Sequence, residues 1–134
     1  IFSTVRPCRD TLKSHVSHVV LDSEVWEGSA AFELEASEHV VAYVKNDHLG
    51  FAVPYTFENS PHSYFPDYLI RLTNGVILII EIKGQETEQD RQKHAAAGRW
   101  VTAVNNAGRW GRWAFDVCKD TALLPEMLEA WVEG

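Results

Sequence analysis

Cysteine is almost missing from this chain. Cys8 and Cys118 are the only two, far apart and in no metal-ligand spacing, which excludes a disulfide scaffold or a cysteine-built zinc site and fits two reduced thiols. Long apolar runs are missing as well: no stretch approaches a membrane span and no basic-then-apolar leader opens the chain, so a soluble, unprocessed cytoplasmic protein is expected. Positive charge is scarce, with 12 Lys and Arg against 19 Asp and Glu and a net charge of −7. Phosphate contacts need Lys and Arg, so this balance argues against a free-standing nucleic-acid binder. Internal repeats and low-complexity segments are also lacking. What is present is enough apolar material for one core: 134 residues, 46% of them hydrophobic, with five Trp. We therefore expect a single domain over 1–134, with 1–21 as an entry segment. The chain opens at Ile1 without Met, which suggests a domain excised from a longer polypeptide.

The scarce positive charge is not spread evenly. Arg91, Lys93, Arg99, Arg109 and Arg112 follow one another without an intervening acid, whereas Asp22 to Glu38 holds six acids and no base. One account is ordinary helix-surface charge; the other is a basic wall facing phosphates, with the acidic helix elsewhere or beside a metal site. His15 and His18 have the spacing of a helical ligand pair, but no third ligand lies near them in sequence.

The chain is organised around Tyr64 to Lys83, which reads as two strands joined by Thr73-Asn74-Gly75. A three-residue hairpin loop with Gly in its last, left-handed position pairs Leu72 with Val76. Stepping outward, Asp67 then falls opposite Glu81, and the alternation of strand side chains puts Lys83 on the same face as Glu81. A two-residue Asn74-Gly75 loop shifts the pairing by one and separates the acids onto opposite faces. The three-residue loop is favoured because it leaves no carboxylate stranded among Ile79, Ile80 and Ile82, where an uncompensated charge is costly. Val76 to Ile80 is a continuous apolar run of the kind covered on both faces, and it leads directly into Glu81-Ile82-Lys83-Gly84. Cross-strand Cβ atoms sit roughly 4.5–5.5 Å apart, which lets two carboxylates share one divalent cation with the ammonium just beyond it.

Around this hairpin we expect a helix from Asp22 or Ser23 to about Ser37, with an apolar stripe of Trp26, Ala30 and Leu34 beside Glu27, Ala31 and Glu35. Val40 to Lys45 and Phe51 to Phe57 read as a second hairpin, and Glu58 to Ser63 as a polar loop. Thr87 caps a second helix with Asp90 three positions on, and that helix runs to Asn105–Gly108. Arg112 to Val117 is a last strand. Thr121 to Val132 is a closing helix packing through Leu123, Leu124, Met127, Leu128 and Trp131. The order implies an α/β (α+β) fold, a mixed sheet flanked by helices.

Pro66-Asp67 followed a hairpin's length later by Glu81-Ile82-Lys83 resembles the signature of the PD-(D/E)XK nuclease superfamily. The wider text resembles the C-terminal endonuclease domain of type III restriction enzyme restriction subunits, from about Thr11 to Val117. It includes Asp22-Ser23 with Trp26-Glu27, Ala42-Tyr43-Val44-Lys45-Asn46, Phe51-Ala52-Val53-Pro54-Tyr55, Tyr64-Phe65-Pro66-Asp67, Glu81-Ile82-Lys83-Gly84 and Arg112-Trp113. The resemblance implies a restriction-endonuclease-like core of helix, three strands, helix and strand, here with an extra strand at Val40 to Lys45 and a C-terminal helix. It further implies a Mg²⁺-dependent endonuclease acting on double-stranded DNA, Mn²⁺ substituting, in which Asp67, Glu81 and the Ile82 main-chain carbonyl hold the metal and Lys83 completes the catalytic set. A carboxylate of the first helix often joins such a site; Glu27 is the candidate and Glu35 the second choice. Gln85, Arg91, Lys93 and Arg99 are the expected phosphate contacts. By the same resemblance the partners are an upstream helicase-like ATPase region of the same polypeptide and a methyltransferase modification subunit, in a prokaryotic cytoplasm. Two alternatives stand beside this reading. One is a junction resolvase or other nuclease of the superfamily; the other is a catalytically silent DNA-binding or assembly module of a helicase-like machine.

Overall fold

The computed structural model describes residues 8–10, 18–20, 25–46 and 49–133, with the backbone alone for 8–10, 18–20 and 25–29. Eight strands and three α-helices are described: β1 (Cys8–Asp10), β2 (His18–Val20), α1 (Val25–Ala36), β3 (Val40–Lys45), β4 (Val53–Phe57), β5 (Ser60–Tyr64), β6 (Tyr68–Leu72), β7 (Ile77–Ile82), α2 (Glu88–Ala107), β8 (Trp113–Cys118) and α3 (Leu124–Glu133). The central sheet runs in the order β3-β6-β7-β8. β6 is antiparallel to both of its neighbours, β3 and β7, and β8 lies parallel to β7. That last pairing requires the crossover which α2 provides. None of the described helices is long and apolar enough to cross a membrane.

Alternation along β7 divides the molecule into two cores. Leu78 and Ile80 point into a cluster with Ala30, Ala31 and Leu34 of α1 and Leu124 and Leu128 of α3. The opposite face meets α2 and the β4–β5 hairpin, where Val53, Tyr55, Tyr64, Ala96 and Ala97 are buried together and Phe51, Trp100 and Phe115 pack against them. Leu78, Ile79 and Ile80 are all fully buried, as a run covered on both faces should be. Asp67 and Glu81 alternate onto the α2 face.

The register follows the three-residue loop. Tyr68 pairs with Ile80 and Ile70 with Leu78, the Leu72 N–H donates to the Val76 carbonyl at 2.9 Å, and Gly75 takes φ +91°. The backbone carries the turn because glycine has no Cβ to oppose that conformation. Thr87 and Asp90 form the reciprocal capping box at the start of α2, and Gly108 closes the helix in the left-handed conformation.

Three expectations require correction. β3 does not form a hairpin with β4; it pairs with β6. β4 instead pairs with β5, so Ser60 to Tyr64 is a strand where a loop was expected. Glu58 and Asn59 both have positive φ in the intervening two-residue turn, the geometry that matches strand twist but which normally advertises itself with Asn-Gly or Asp-Gly. Glu58-Asn59 lacks that signature. Lastly, the closing helix begins at Leu124 after a 3₁₀ turn over Thr121–Leu123, leaving Leu123 exposed. The stripe on α1 holds for Ala30 and Leu34, both fully buried; the Trp26 side chain and His15 lie outside the described residues.

Candidate active site at the open end of the central hairpin

The chain enters the site from β5. Tyr64 ends that strand in the α2-side core, Phe65 and Pro66 carry the backbone across to the central sheet, and Asp67 arrives one residue before β6 begins. Asn46 holds this crossing. Its side-chain amide donates to the Phe51 and Pro66 carbonyls at 2.8 and 2.9 Å and its Oδ1 accepts from the Phe51 N–H. Its main-chain N–H donates to the Asp67 carbonyl at 2.8 Å. Asn46→Ala removes the three side-chain bonds at a half-buried position, so we expect about 2–3 kcal/mol of destabilisation, measured by urea unfolding. An Asn46→Ala variant as stable as wild type would show that Pro66 and Asp67 are held by other contacts.

At Asp67 the ladder gives way to a side chain. The Asp67 N–H still donates to the Ile80 carbonyl at 3.1 Å, while its Oδ2 accepts from the Ile82 N–H at 2.8 Å. The aspartate thus caps the end of β7 and presents its carboxylate beside Glu81. Among the described residues only Glu81 and Asp90 are buried and charged. The Glu81 carboxyl is pushed up to about 7, first by burial and next by the charge of Asp67; the Tyr64 hydroxyl and the ammonium groups of Lys93 and Lys83 pull less strongly the other way. Glu81 is thus a carboxylate without sufficient compensating charge.

Tyr64 and His94 surround Glu81 from behind. The Tyr64 hydroxyl is buried, and burial and Glu81 together hold its ionisation far above the ordinary range. It completes no hydrogen bond of ordinary geometry. His94 Nδ1 lies 2.7 Å from Glu86 Oε2 and its Nε2 lies 4.0 Å from Glu81 Oε2, with the ring between Tyr64 and Phe115. None of Tyr64, Glu86 and His94 stands out in the sequence, because their convergence depends on how α2 lies across the sheet.

The other expected residues are distributed less simply. Lys83 reaches Asp90 Oδ2 at 3.6 Å rather than either acid of the hairpin. Lys93 reaches Asp90 Oδ1 at 3.7 Å. Arg91 is engaged on the exposed surface by Glu88 at 2.9 Å, Arg99 is exposed, and Gln85 is exposed on the turn after Gly84. At about 100° per helical residue, Lys93 is about 160° from Arg91 and about 120° from Arg99, so the three do not make one wall. Glu35 does not join Asp67 and Glu81: its Oε1 accepts from the Tyr43 hydroxyl at 3.2 Å, and Tyr43 belongs to the core on the opposite face of the sheet. Glu27 sits in the first turn of α1 with its side chain outside the described residues.

The donor set suits a hard divalent cation. Two carboxylates on one face repel each other, and among the described residues the ammonium groups of Lys83 and Lys93 reach Asp90, so a cation beside Glu81 would offset both its burial and the charge of Asp67. Among the described residues no group of three or more His, Cys, Asp or Glu is placed to hold a metal ion. Asp67, Glu81 and the Ile82 carbonyl offer two carboxylates and one carbonyl, hard oxygen donors of the type Mg²⁺ takes while keeping several of its waters. Comparison of the chain with protein-family models, with curated proteins and with solved structures finds no match.

Proposed function

We propose that this chain is a divalent-metal-dependent endonuclease domain of the PD-(D/E)XK type, hydrolysing DNA phosphodiester bonds as the cleavage domain of a type III restriction enzyme. The observation that carries the reading is the pair of carboxylates at the open end of the hairpin, one buried and raised to about 7 partly by the other, with Lys83 two residues on. The order α1, β3, β6, β7, α2, β8, with β8 parallel to β7, supports it. In this reading β3, expected to be the extra strand, is instead the first of the three core strands in a helix, three-strand, helix, strand order, and β4 and β5 are inserted between it and β6.

In this reading Asp67 and Glu81 hold the cation and the Ile82 carbonyl adds a third protein oxygen. When bound, Mg²⁺ polarises the phosphate and makes a coordinated water more acidic. Lys83 positions the attacking water or offsets charge that develops on the phosphate. Asp67 also keeps the end of β7 in place through the Ile82 N–H, so the metal-binding oxygens and the strand end are positioned together. A silent assembly module gains nothing from burying Glu81 beside Asp67, since that burial costs stability in the absence of a cation.

The test is plasmid nicking by the domain with Mg²⁺, Mn²⁺ or EDTA. Cleavage that requires the metal supports the reading; metal-independent cleavage, or none at any metal concentration, contradicts it. Lys83→Ala should leave Mg²⁺ affinity within about threefold by calorimetry while the rate falls about 10²-fold, because its role belongs to the chemical step. Collapse of metal affinity in that variant would reassign Lys83 to holding the site together.

A further inference from the structure

Asp90 is a helix-capping residue with more partners than a cap needs. Its Oδ2 accepts from the Thr87 N–H at 2.9 Å and the Thr87 hydroxyl at 3.0 Å, which completes the capping box. The same carboxylate also has Lys83 at 3.6 Å on one oxygen and Lys93 at 3.7 Å on the other. It is nearly fully buried, whereas the side chains of Lys83 and Lys93 are 40% and 27% exposed. Its carboxyl is held below the ordinary range by Thr87 and the two lysines despite its burial.

One carboxylate cannot neutralise two ammonium groups, and both contacts are longer than a hydrogen bond. Thr87 has taken the short bonds. The lysines are therefore aligned by charge while their N–H donors stay out of hydrogen-bond range of Asp90. Lys93 also lies 5.9 Å over the Tyr64 ring, and Tyr64 is the residue beside Glu81. Neither arginine of α2 is placed in this way: Arg91 is paired with Glu88 and Arg99 is exposed.

We infer that Lys93 is a second cation of the active site, held with Lys83 on the buried Asp90, and that the two ammonium groups together take a backbone phosphate of the DNA. This rests on the endonuclease reading and deepens it. Lys93 contacts substrate, and Asp90 is a positioning residue that ties both lysines to the start of α2. The reach is set by connectivity: Lys83 ends the strand segment, Thr87 and Asp90 begin the helix, and Lys93 follows one turn later on the same face as Asp90.

Two measurements on the intact domain test this, with Arg71→Met as a control of equal charge change on the exposed part of β6. The first is binding of a 15-base-pair duplex at low salt in Ca²⁺; the second is cleavage of that duplex in Mg²⁺. Lys93→Met should weaken duplex binding about tenfold and lower kcat about 10²-fold, with Arg71→Met within about threefold on both. The Lys83→Met, Lys93→Met double variant should lose less than the product of the single losses, because the two act on one phosphate. Asp90→Asn retains an oxygen for Thr87 and should lower kcat about tenfold with KM within about threefold, and by less than threefold when Lys93 is already Met. Lys93→Met indistinguishable from Arg71→Met overturns the inference while leaving the endonuclease reading intact. If wild type binds the duplex but does not cut it, the endonuclease reading fails and the binding arm alone judges the pair: a selective loss in Lys93→Met and Lys83→Met keeps it, and equal losses in all three variants overturn it. No duplex binding by wild type overturns both.

Discussion

Asp67→Ala should lose metal-dependent cleavage by about 10³-fold or more, since it removes one of the two side-chain donors proposed for the metal and the strand-end cap in a single step. The two effects can be separated. Asp67→Asn retains an oxygen able to accept the Ile82 N–H, now bonded at 2.8 Å, but it lacks the charge that a hard cation requires. It should therefore be as inactive as Asp67→Ala and more stable than it by about 1–2 kcal/mol, the cost of leaving a half-buried N–H without its acceptor. Both variants should also bring the Glu81 carboxyl down from about 7, because Asp67's charge is the second-largest cause of that rise after burial. Cleavage assays, urea unfolding and ¹³C titration of the glutamate carboxyl read these three outcomes separately. Retained cutting in Asp67→Asn would move the metal site elsewhere, and an unmoved Glu81 titration would show that the acids do not share a field.

Glu81→Gln should abolish cleavage and, in metal-free buffer, make the protein more stable at high pH. The sign follows from linkage. An acid raised in the folded state from 4.5 to about 7 binds more protons there than in the unfolded chain between those two values, so stability falls as pH rises through that window. The loss is complete above about pH 7 and absent below about pH 4.5, and a shift of this size corresponds to on the order of 2–3 kcal/mol. Glu81→Gln carries no such titration. The difference between the two unfolding free energies should then favour the variant increasingly from pH 5 to pH 8 in EDTA, and comparison at each pH cancels the contribution of other groups such as Asp90. Adding Mg²⁺ at pH 8 should stabilise wild type and leave the variant unchanged, because a ligand that binds only the folded state shifts stability by mass action. Parallel stability curves for the two proteins would mean that Glu81 is adequately compensated without a cation.

Much of the architecture was legible locally. The Thr73-Asn74-Gly75 turn, the apolar run into Glu81, the Thr87–Asp90 cap and the Gly108 stop each depend on a few neighbouring residues whose conformational preferences agree, and each appears at its expected place. The strand pairing was less legible. β3 to β5 offered three short apolar or mixed stretches whose partners depend on which side chains pack across the sheet, and Glu58-Asn59 forms its turn without the residues that usually announce one. Glu35 was misplaced for a related reason. Helical spacing puts it beside Glu27 and Ala31, but the tilt of α1 over the sheet directs its carboxylate to Tyr43.

What the amino-acid order determined by itself was the hairpin and the three residues it carries to one end, because strand alternation and turn length fix which side chains share a face. That Asp90 is buried, that it holds Lys83 as well, and that Tyr64 and His94 close around Glu81 were decided only when α2 packed against β4 and β8. These contacts join residues far apart in the chain, and their distances depend on the placement of one whole element against another, which no local preference encodes.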